Sequence, residues 1–358
     1  MVHIVLLTVV ILAFLGRNNN KNIQRLAFFL LFVFGAIRYM YGSDYLNYMT
    51  KFELIKAGAD PFGGELLYTL LCKMLPSYYW LIAVTSGLFV FAMYRLITKN
   101  LPSEYVWLGL FVLLINPALF LMSLSAIRQS SAIVFFVFAV DMAYKRKPIQ
   151  YVLLVVAGAL FHKSLWLMLP LYFFLTEKSV KTSHILLVLA GFAVVFFAVD
   201  LPLLAQTVAE MFNDNNYIFY AQSDLQNTLR ATLLTAVFFV YILFNLPRLE
   251  GKARVYGKLH LLGTLFGLFG YHMSMFTRIQ MIFDIFSAVA LPMVFLSVQK
   301  RGPIVINQDN VLLTLWDCFN KYAMPVLLVL IYGLRYYSFF TNEMWVGFVH
   351  YDTIFSLL

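Results

Sequence analysis

Apolar stretches about twenty residues long recur along the whole of this chain, and that repetition limits its fold more than any motif does. About 20 apolar residues in a helix cross the roughly 30 Å hydrocarbon layer of a bilayer. Only helices and closed barrels satisfy their own backbone groups at that depth. The runs here are continuous and lack the polar–apolar alternation of barrel strands. The expected fold is therefore all-α and polytopic. Composition agrees: 62% of the 358 residues are hydrophobic and only 12% are charged, against roughly a quarter in soluble domains. The net charge of +9 is assigned to basic cytoplasmic loops, with no nucleic-acid partner. Two cysteines, Cys72 and Cys318, provide neither a disulfide framework nor a zinc set.

Basic residues orient the spans, because cytoplasmic loops are enriched in Lys and Arg. Apolar segments lie near 2–16, 23–41, 78–97, 104–122, 126–144, 149–175, 184–206, 229–246, 259–275, 279–298 and 322–340. The first has no basic flank ahead of it and no cleavage pattern, so it is read as a retained span. Segment 149–175 is interrupted by Phe161-His162-Lys163-Ser164 and has basic clusters at both ends. A single crossing would put one cluster outside, so a short re-entrant pair is expected, with His162 and Lys163 lifted toward the outer face. About twelve transmembrane segments result, with both termini outside. Of the 26 Lys and Arg residues, 17 then fall inside. Residues 1–358 form one integral membrane domain. Its outer parts are a 42–77 loop with an interfacial helix, a 207–228 loop containing Asn213-Asp214-Asn215-Asn216, and a 341–358 tail.

Five polar signatures reach the outer face on this topology: Arg38 with Asp44, Arg128-Gln129, His162-Lys163-Ser164, Arg278, and His350-Tyr351-Asp352. A guanidinium offers a rigid fork that matches phosphate oxygens two at a time, so arginines gathered at one rim suit a lipid-linked pyrophosphate. A charge in or beside a membrane is expensive and is usually kept for function, with its partner nearby. Each residue also has a structural reading. Arg38 and Arg335 can snorkel to the interface. His162 can be a satisfied buried histidine, or the acid–base residue. Asp44 can cap the helix that begins at Tyr45. Asp284 is read as an arginine's structural partner, Asp141 as an inner-rim partner of Lys145, and Gly263, Gly267 and Gly270 as close-packing positions. Trp345 and Tyr351 are candidates to stack on sugar rings. Asp-x-Asp, His-Glu-x-x-His, Gly-x-Ser-x-Gly and P-loop motifs are absent.

Three motifs then carry a resemblance: Ile37-Arg38-Tyr39 with Gly42-Ser43-Asp44-Tyr45-Leu46-Asn47-Tyr48, Ser125-Ala126-Ile127-Arg128-Gln129, and Leu160-Phe161-His162-Lys163-Ser164. Thr277-Arg278-Ile279 and Val349-His350-Tyr351-Asp352 extend it. In these residues, nearly end to end, the chain resembles the EpsG family of Wzy-like polysaccharide polymerases. It departs at Ser43, where that family often has threonine, and at Ser130-Ser131, where an apolar pair is common. The resemblance implies a bacterial inner-membrane glycosyltransferase whose site faces the periplasm or cell exterior. Such an enzyme joins undecaprenyl-pyrophosphate-linked oligosaccharide units into O-antigen, capsule or exopolysaccharide. Architecture like that of the C-type (GT-C) membrane glycosyltransferases is implied by analogy alone. Donor and acceptor glycolipids, membrane lipids and a chain-length regulator are the implied partners, with no cofactor or metal. On this reading Arg128, Arg38 and Arg278 hold the pyrophosphate. His162 or Asp44 is the base, with His350 and Asp352 as alternatives. Gln129, Lys163, Tyr45 and Tyr351 line the substrate. A lipid-linked oligosaccharide flippase and an O-antigen ligase are the competing classes.

Overall fold

A computed structural model describes residues 1–178, 228–300 and 311–357, with a few positions between 190 and 203. Most of the 184–206 segment, the 207–228 loop up to its last residue, and Asn307–Asn310 lie outside the described residues. The chain divides into two compact units, Met1–Thr176 with Val329–Leu358, and Glu177–Leu328.

In the first unit, α1 (Val2–Leu15) and α2 (Lys21–Ala36) pack as a hairpin. Gln24 closes it, donating to the Gly16 carbonyl at 3.1 Å and to the Ser103 carbonyl and hydroxyl at 2.9 Å. After α2 the chain enters a two-residue strand, β1 (Arg38–Tyr39), and then α3 (Tyr45–Lys56) and α4 (Leu66–Met74). The long helix α5 (Tyr78–Asn100) lies against α2 and α8 (Ile127–Tyr144). The single span expected at 104–122 is instead divided. After a 3-10 turn (Ser103–Tyr105), α6 (Val106–Ile115) stops at Asn116-Pro117, and α7 (Phe120–Ser125) restarts. Proline has no N–H and pushes the residue before it out of helical geometry, and Asn116 is accordingly extended, with φ −95° and ψ 102°.

The 149–175 segment doubles back. The helix α9 (Pro148–Ala159) runs about 18 Å, short of a bilayer. The chain turns at residues 160–162 and returns as a 3-10 helix, Lys163–Phe173, with Pro170 inside it. The two arms touch at their far ends, where Tyr151 donates to the Met168 carbonyl and its ring lies 5.4 Å from that of Tyr172. A 3-10 run of 11 residues is unusually long. At the turn, the Leu67 N–H donates to the Leu160 carbonyl at 3.1 Å, pinning the start of α4 beside His162.

Arg38 departs from the expectation of an accessible phosphate ligand. It is 1% exposed. Its guanidinium donates to the Gly35 carbonyl, the Ser86 hydroxyl at 2.7 Å and the Leu124 carbonyl at 2.9 Å. It therefore ties the end of α2 to α5 and α7. The tail folds back over the same place. The second strand, β2 (Asp352–Thr353), pairs antiparallel with β1, setting Arg38 opposite Thr353 and Tyr39 opposite Asp352. Asp141 pairs with Lys99 of α5, an interhelical bond in place of the expected Lys145 partner.

The second unit contains α10 (Leu229–Asn245), α11 (Gly251–Phe269), α12 (Met275–Asp284) and α13 (Ser287–Gln299). Next come α14 (Val311–Cys318), a π-helical turn (Phe319–Ala323) and α15 (Met324–Thr341), whose end belongs to the first unit. A Cβ at Gly263 would meet Asp284 Oδ1 at 2.5 Å, and one at Gly267 would meet the Gln280 amide at 2.8 Å. Both glycines thus admit polar side chains from α12. Asp284 accepts from Gln280 at 2.7 Å and lies 3.6 Å from His260 Nδ1; among the described residues these, not an arginine, are its partners. Pro325 cannot donate to the Lys321 carbonyl, and Gln299 Nε2 does so at 3.1 Å.

Four helices are long and apolar enough to cross a membrane among the described residues, or five if the 55° bent pair α12–α13 is one span. Three shorter apolar helices accompany them. The chain is a helical membrane protein built partly of broken and short helices.

Replacing Arg38 with Ala leaves two carbonyls and a hydroxyl buried without their donor. The expected loss is about 2–3 kcal/mol of stability, read as a lowered thermal midpoint in detergent. An unchanged midpoint would mean that Arg38 does not hold α2, α5 and α7 together.

Candidate active site

The site begins with a turn. The Asp60 carboxylate accepts the N–H groups of Phe62, Gly63 and Gly64 at 3.4, 3.0 and 3.3 Å, a local device by which Asp orders a loop. Gly63 and Gly64 follow at φ +49° and +86°, a region that glycine enters without steric cost. This backbone delivers Glu65 to the head of α4, where the residue is buried at 2% exposure.

Glu65 joins two of the expected site residues. Its Oε2 accepts from Arg128 Nη1 at 2.6 Å, and its Oε1 lies 2.9 Å from His162 Nδ1. The Lys163 N–H reaches Oε1 at 3.4 Å. Burial pushes the Glu65 carboxyl up, but the hydrogen bond from His162 and the charge of Arg128 outweigh it and hold the carboxyl below its ordinary range. In the tautomer with its hydrogen on Nδ1, the imidazole donates to this carboxylate and Nε2 keeps a lone pair.

Aromatic rings and further cations surround the bridge. Arg128 Nε donates to the Tyr48 hydroxyl at 3.3 Å, and the guanidinium lies 3.8 Å from the centre of the Phe62 ring. Lys51 Nζ is 4.9 Å from the same ring. Burial and the charge of Arg128 draw the Lys51 ammonium down from its ordinary pKa, while Asp44 and Glu65 oppose them. Lys163 is exposed, and its Nζ would stand 4.0 Å from a Cβ at Gly63. Arg128, Lys51 and the His162 ring therefore collect around one carboxylate, with the Lys163 side chain beside Gly63 and with Arg128 and His162 only half-buried.

The other expected residues divide. Asp44 stands at the head of α3, but its side chain caps nothing there; its Oδ2 accepts from the Ser125 hydroxyl at 3.3 Å. The Ser125 oxygen in turn accepts from the Asp44 N–H at 3.0 Å, tying α3 to the chain just before Arg128. Tyr45 is buried edge-on against Tyr39 and Tyr78, and Gln129 is buried with its own partners. Tyr351 stacks on Phe34 at 4.4 Å and donates to the Phe34 carbonyl at 2.6 Å. Trp345 stacks on Phe339 at 5.2 Å. Both rings expected to receive sugars are thus engaged in holding the tail. His350 and Asp352 are exposed. Arg278 is exposed on α12 in the second unit, where it has partners. Among the described residues no group of three His, Cys, Asp or Glu side chains could hold a metal ion.

Glu65, Phe62 and Lys51 were not singled out from sequence, and Tyr48 entered only as the last residue of a motif. The available signal was electrostatic: a cation at a membrane rim needs a counter-ion, and Glu65, behind two glycines at the head of an apolar helix, meets that need.

A carboxylate held below its ordinary range stabilises the fold above about pH 4.3, and that contribution is lost as pH falls through the lowered value. The melting midpoint of the native protein should accordingly fall more steeply than that of Glu65→Gln on acidification below that point. Parallel curves would remove the ionised bridge. Glu65→Ala strands Arg128 and should cost about 3 kcal/mol.

Comparison with known proteins follows the same residues. No curated protein and no solved structure matches the chain. The EpsG family model matches residues 21–351 of the 358, a stretch that runs from the start of α2 through Glu65, Arg128 and His162 to the stacked Tyr351. This chain belongs to the EpsG family.

Proposed function

We propose that this protein is a metal-independent polysaccharide polymerase of the bacterial inner membrane. It joins undecaprenyl-pyrophosphate-linked oligosaccharide units at the face turned away from the cytosol. The observation that carries the reading is the Glu65 carboxylate, bonded to Arg128 on one oxygen and to His162 on the other. A group suited to phosphate and a group suited to proton transfer are thereby held side by side.

The roles follow from chemistry. The bond between the donor's anomeric carbon and its pyrophosphate oxygen breaks, and the leaving pyrophosphate keeps the electron pair. The acceptor hydroxyl oxygen forms the new bond to that carbon and gives its proton to His162 Nε2. Arg128 commits Nη1 to Glu65 and Nε to Tyr48, while Nη2 has no partner among the described residues. That nitrogen, with Lys163 and Lys51, meets the charge developing on the leaving group, where fixed cations contribute most. Glu65 orients the imidazole and touches no substrate. Arg38 acts by packing, and the tail residues Tyr351 and Trp345 support the Arg38 region. Asp44 positions the segment before Arg128 through Ser125. The inner-membrane location, the outward-facing site, the glycolipid substrates and a chain-length regulator all rest on the family's implied chemistry together with this cluster.

Arg128→Ala should lower polymer formation about 10²–10³-fold, and Arg128→Lys should fail to restore it, since a point charge lacks the fork. His162→Ala should lower turnover by about 10²–10⁴-fold without loss of donor binding. Chain-length analysis of surface glycan in a deletion strain tests the class. Single units reaching the surface without a ladder support a polymerase. Complete loss of glycan indicates a flippase, and unattached polymer indicates a ligase. A normal ladder from well-expressed Arg128→Ala protein would refute the assignment of that residue.

A further inference from the structure

Glu65 has two oxygens and two side-chain partners of different kinds, which makes it a link between them. Resting on the polymerase reading above, we infer that Glu65 is a positioning residue that exchanges partners: a pyrophosphate diester arriving at Arg128 draws the guanidinium away from Glu65, leaving His162 as the carboxylate's side-chain partner, beside the Lys163 N–H, and strengthening the imidazole as a base. The acceptor would then be deprotonated only where a donor is already in place.

Three observations support the exchange. First, Glu65 is nearly sealed from water while Arg128 is about one-fifth exposed and His162 about one-quarter, with side-chain values of 3%, 20% and 24%. An incoming anion therefore reaches Arg128 and not Glu65. Second, the guanidinium has purchase to move without leaving the site. It lies against the Phe62 ring and is bonded to the Tyr48 hydroxyl, contacts that tolerate a shift toward Nη2. Third, the carboxylate's two oxygens are divided, one to each partner, so losing Arg128 leaves the bond to His162 intact. Opposite charge within a few ångströms favours the protonated imidazole. A carboxylate no longer neutralised by Arg128 exerts more of that effect. The titratable and charged groups gathered here are Tyr48, Lys51 and Asp44 from α3 or its head, Glu65 and Tyr68 at α4, Arg128 from α8 and Lys163 beside His162. Among them only Glu65 is bonded to the ring.

The probe is a P1,P2-dialkyl pyrophosphate, which carries two fixed negative charges and no group that titrates near neutrality. The full-length protein is purified in detergent with labelled histidine, and the His162 ring signal is followed against pH by NMR with and without the probe. The expected result is a rise of about one pH unit in the His162 midpoint on saturation, with a much smaller rise in Glu65→Gln. Arg128→Gln, which mimics the anion's effect on the bridge, should show a raised midpoint without the probe and no response to it. Equal rises in native protein and Glu65→Gln would overturn the exchange, since the anion would then act directly on His162, while leaving the anion site at Arg128 in place. Absence of saturable binding would overturn both the exchange and the Arg128 assignment beneath it.

Discussion

A carboxylate sealed from water has to be met by positive charge or give up its own. Glu65 is met by the charge of the Arg128 guanidinium, and its other oxygen is hydrogen-bonded to the His162 imidazole. Much of the first unit is arranged so that this can happen. The α4 helix supplies the carboxylate, α8 the guanidinium, and the turn of the α9 hairpin the imidazole. The Asp60 turn aims Glu65, the Leu67–Leu160 bond holds α4 to the hairpin, and the Asp44–Ser125 pair fixes the approach to Arg128. None of these contacts is large by itself. Together they hold a guanidinium and an imidazole beside each other on one carboxylate.

The second requirement is the cost of ending helices in an apolar medium. Each broken helix leaves backbone groups unbonded, and at membrane depth they must find protein partners. The partners are visible. Arg38 takes the carbonyls of Gly35 and Leu124. Tyr151 takes the Met168 carbonyl, and Gln299 takes the carbonyl that Pro325 leaves open. Polar side chains along the described spans serve the backbone at these breaks. Arg38 therefore belongs with the packing of α2, α5 and α7, and Arg128 with the half-buried Glu65 bridge, although the sequence offers the same residue type at both places.

The class of protein was legible from the sequence because it depends on local quantities: apolar run length, charge content and the distribution of Lys and Arg. The hairpin at 149–175 was legible for the same reason, since basic residues at both ends and a polar interruption between them leave few alternatives. Where the apolar segments break was less so. Hydropathy averages over a window and does not register that Asn116-Pro117 divides one apolar run, or that α12 and α13 bend by 55°.

The candidate site was half legible. Arg128 and His162 stood out because charge in an apolar chain is conspicuous, and their motifs carried the family resemblance. Arg38 and Tyr351 stood out in the same way, yet they are engaged in packing. What the sequence by itself determined was a helical membrane chain with exceptional polar residues at span ends, because those properties belong to single segments. Tertiary structure alone decided which of those residues meet. Glu65 is 63 positions from Arg128 and 97 from His162, and only the packing of α4 against the hairpin turn brings the three within hydrogen-bonding distance.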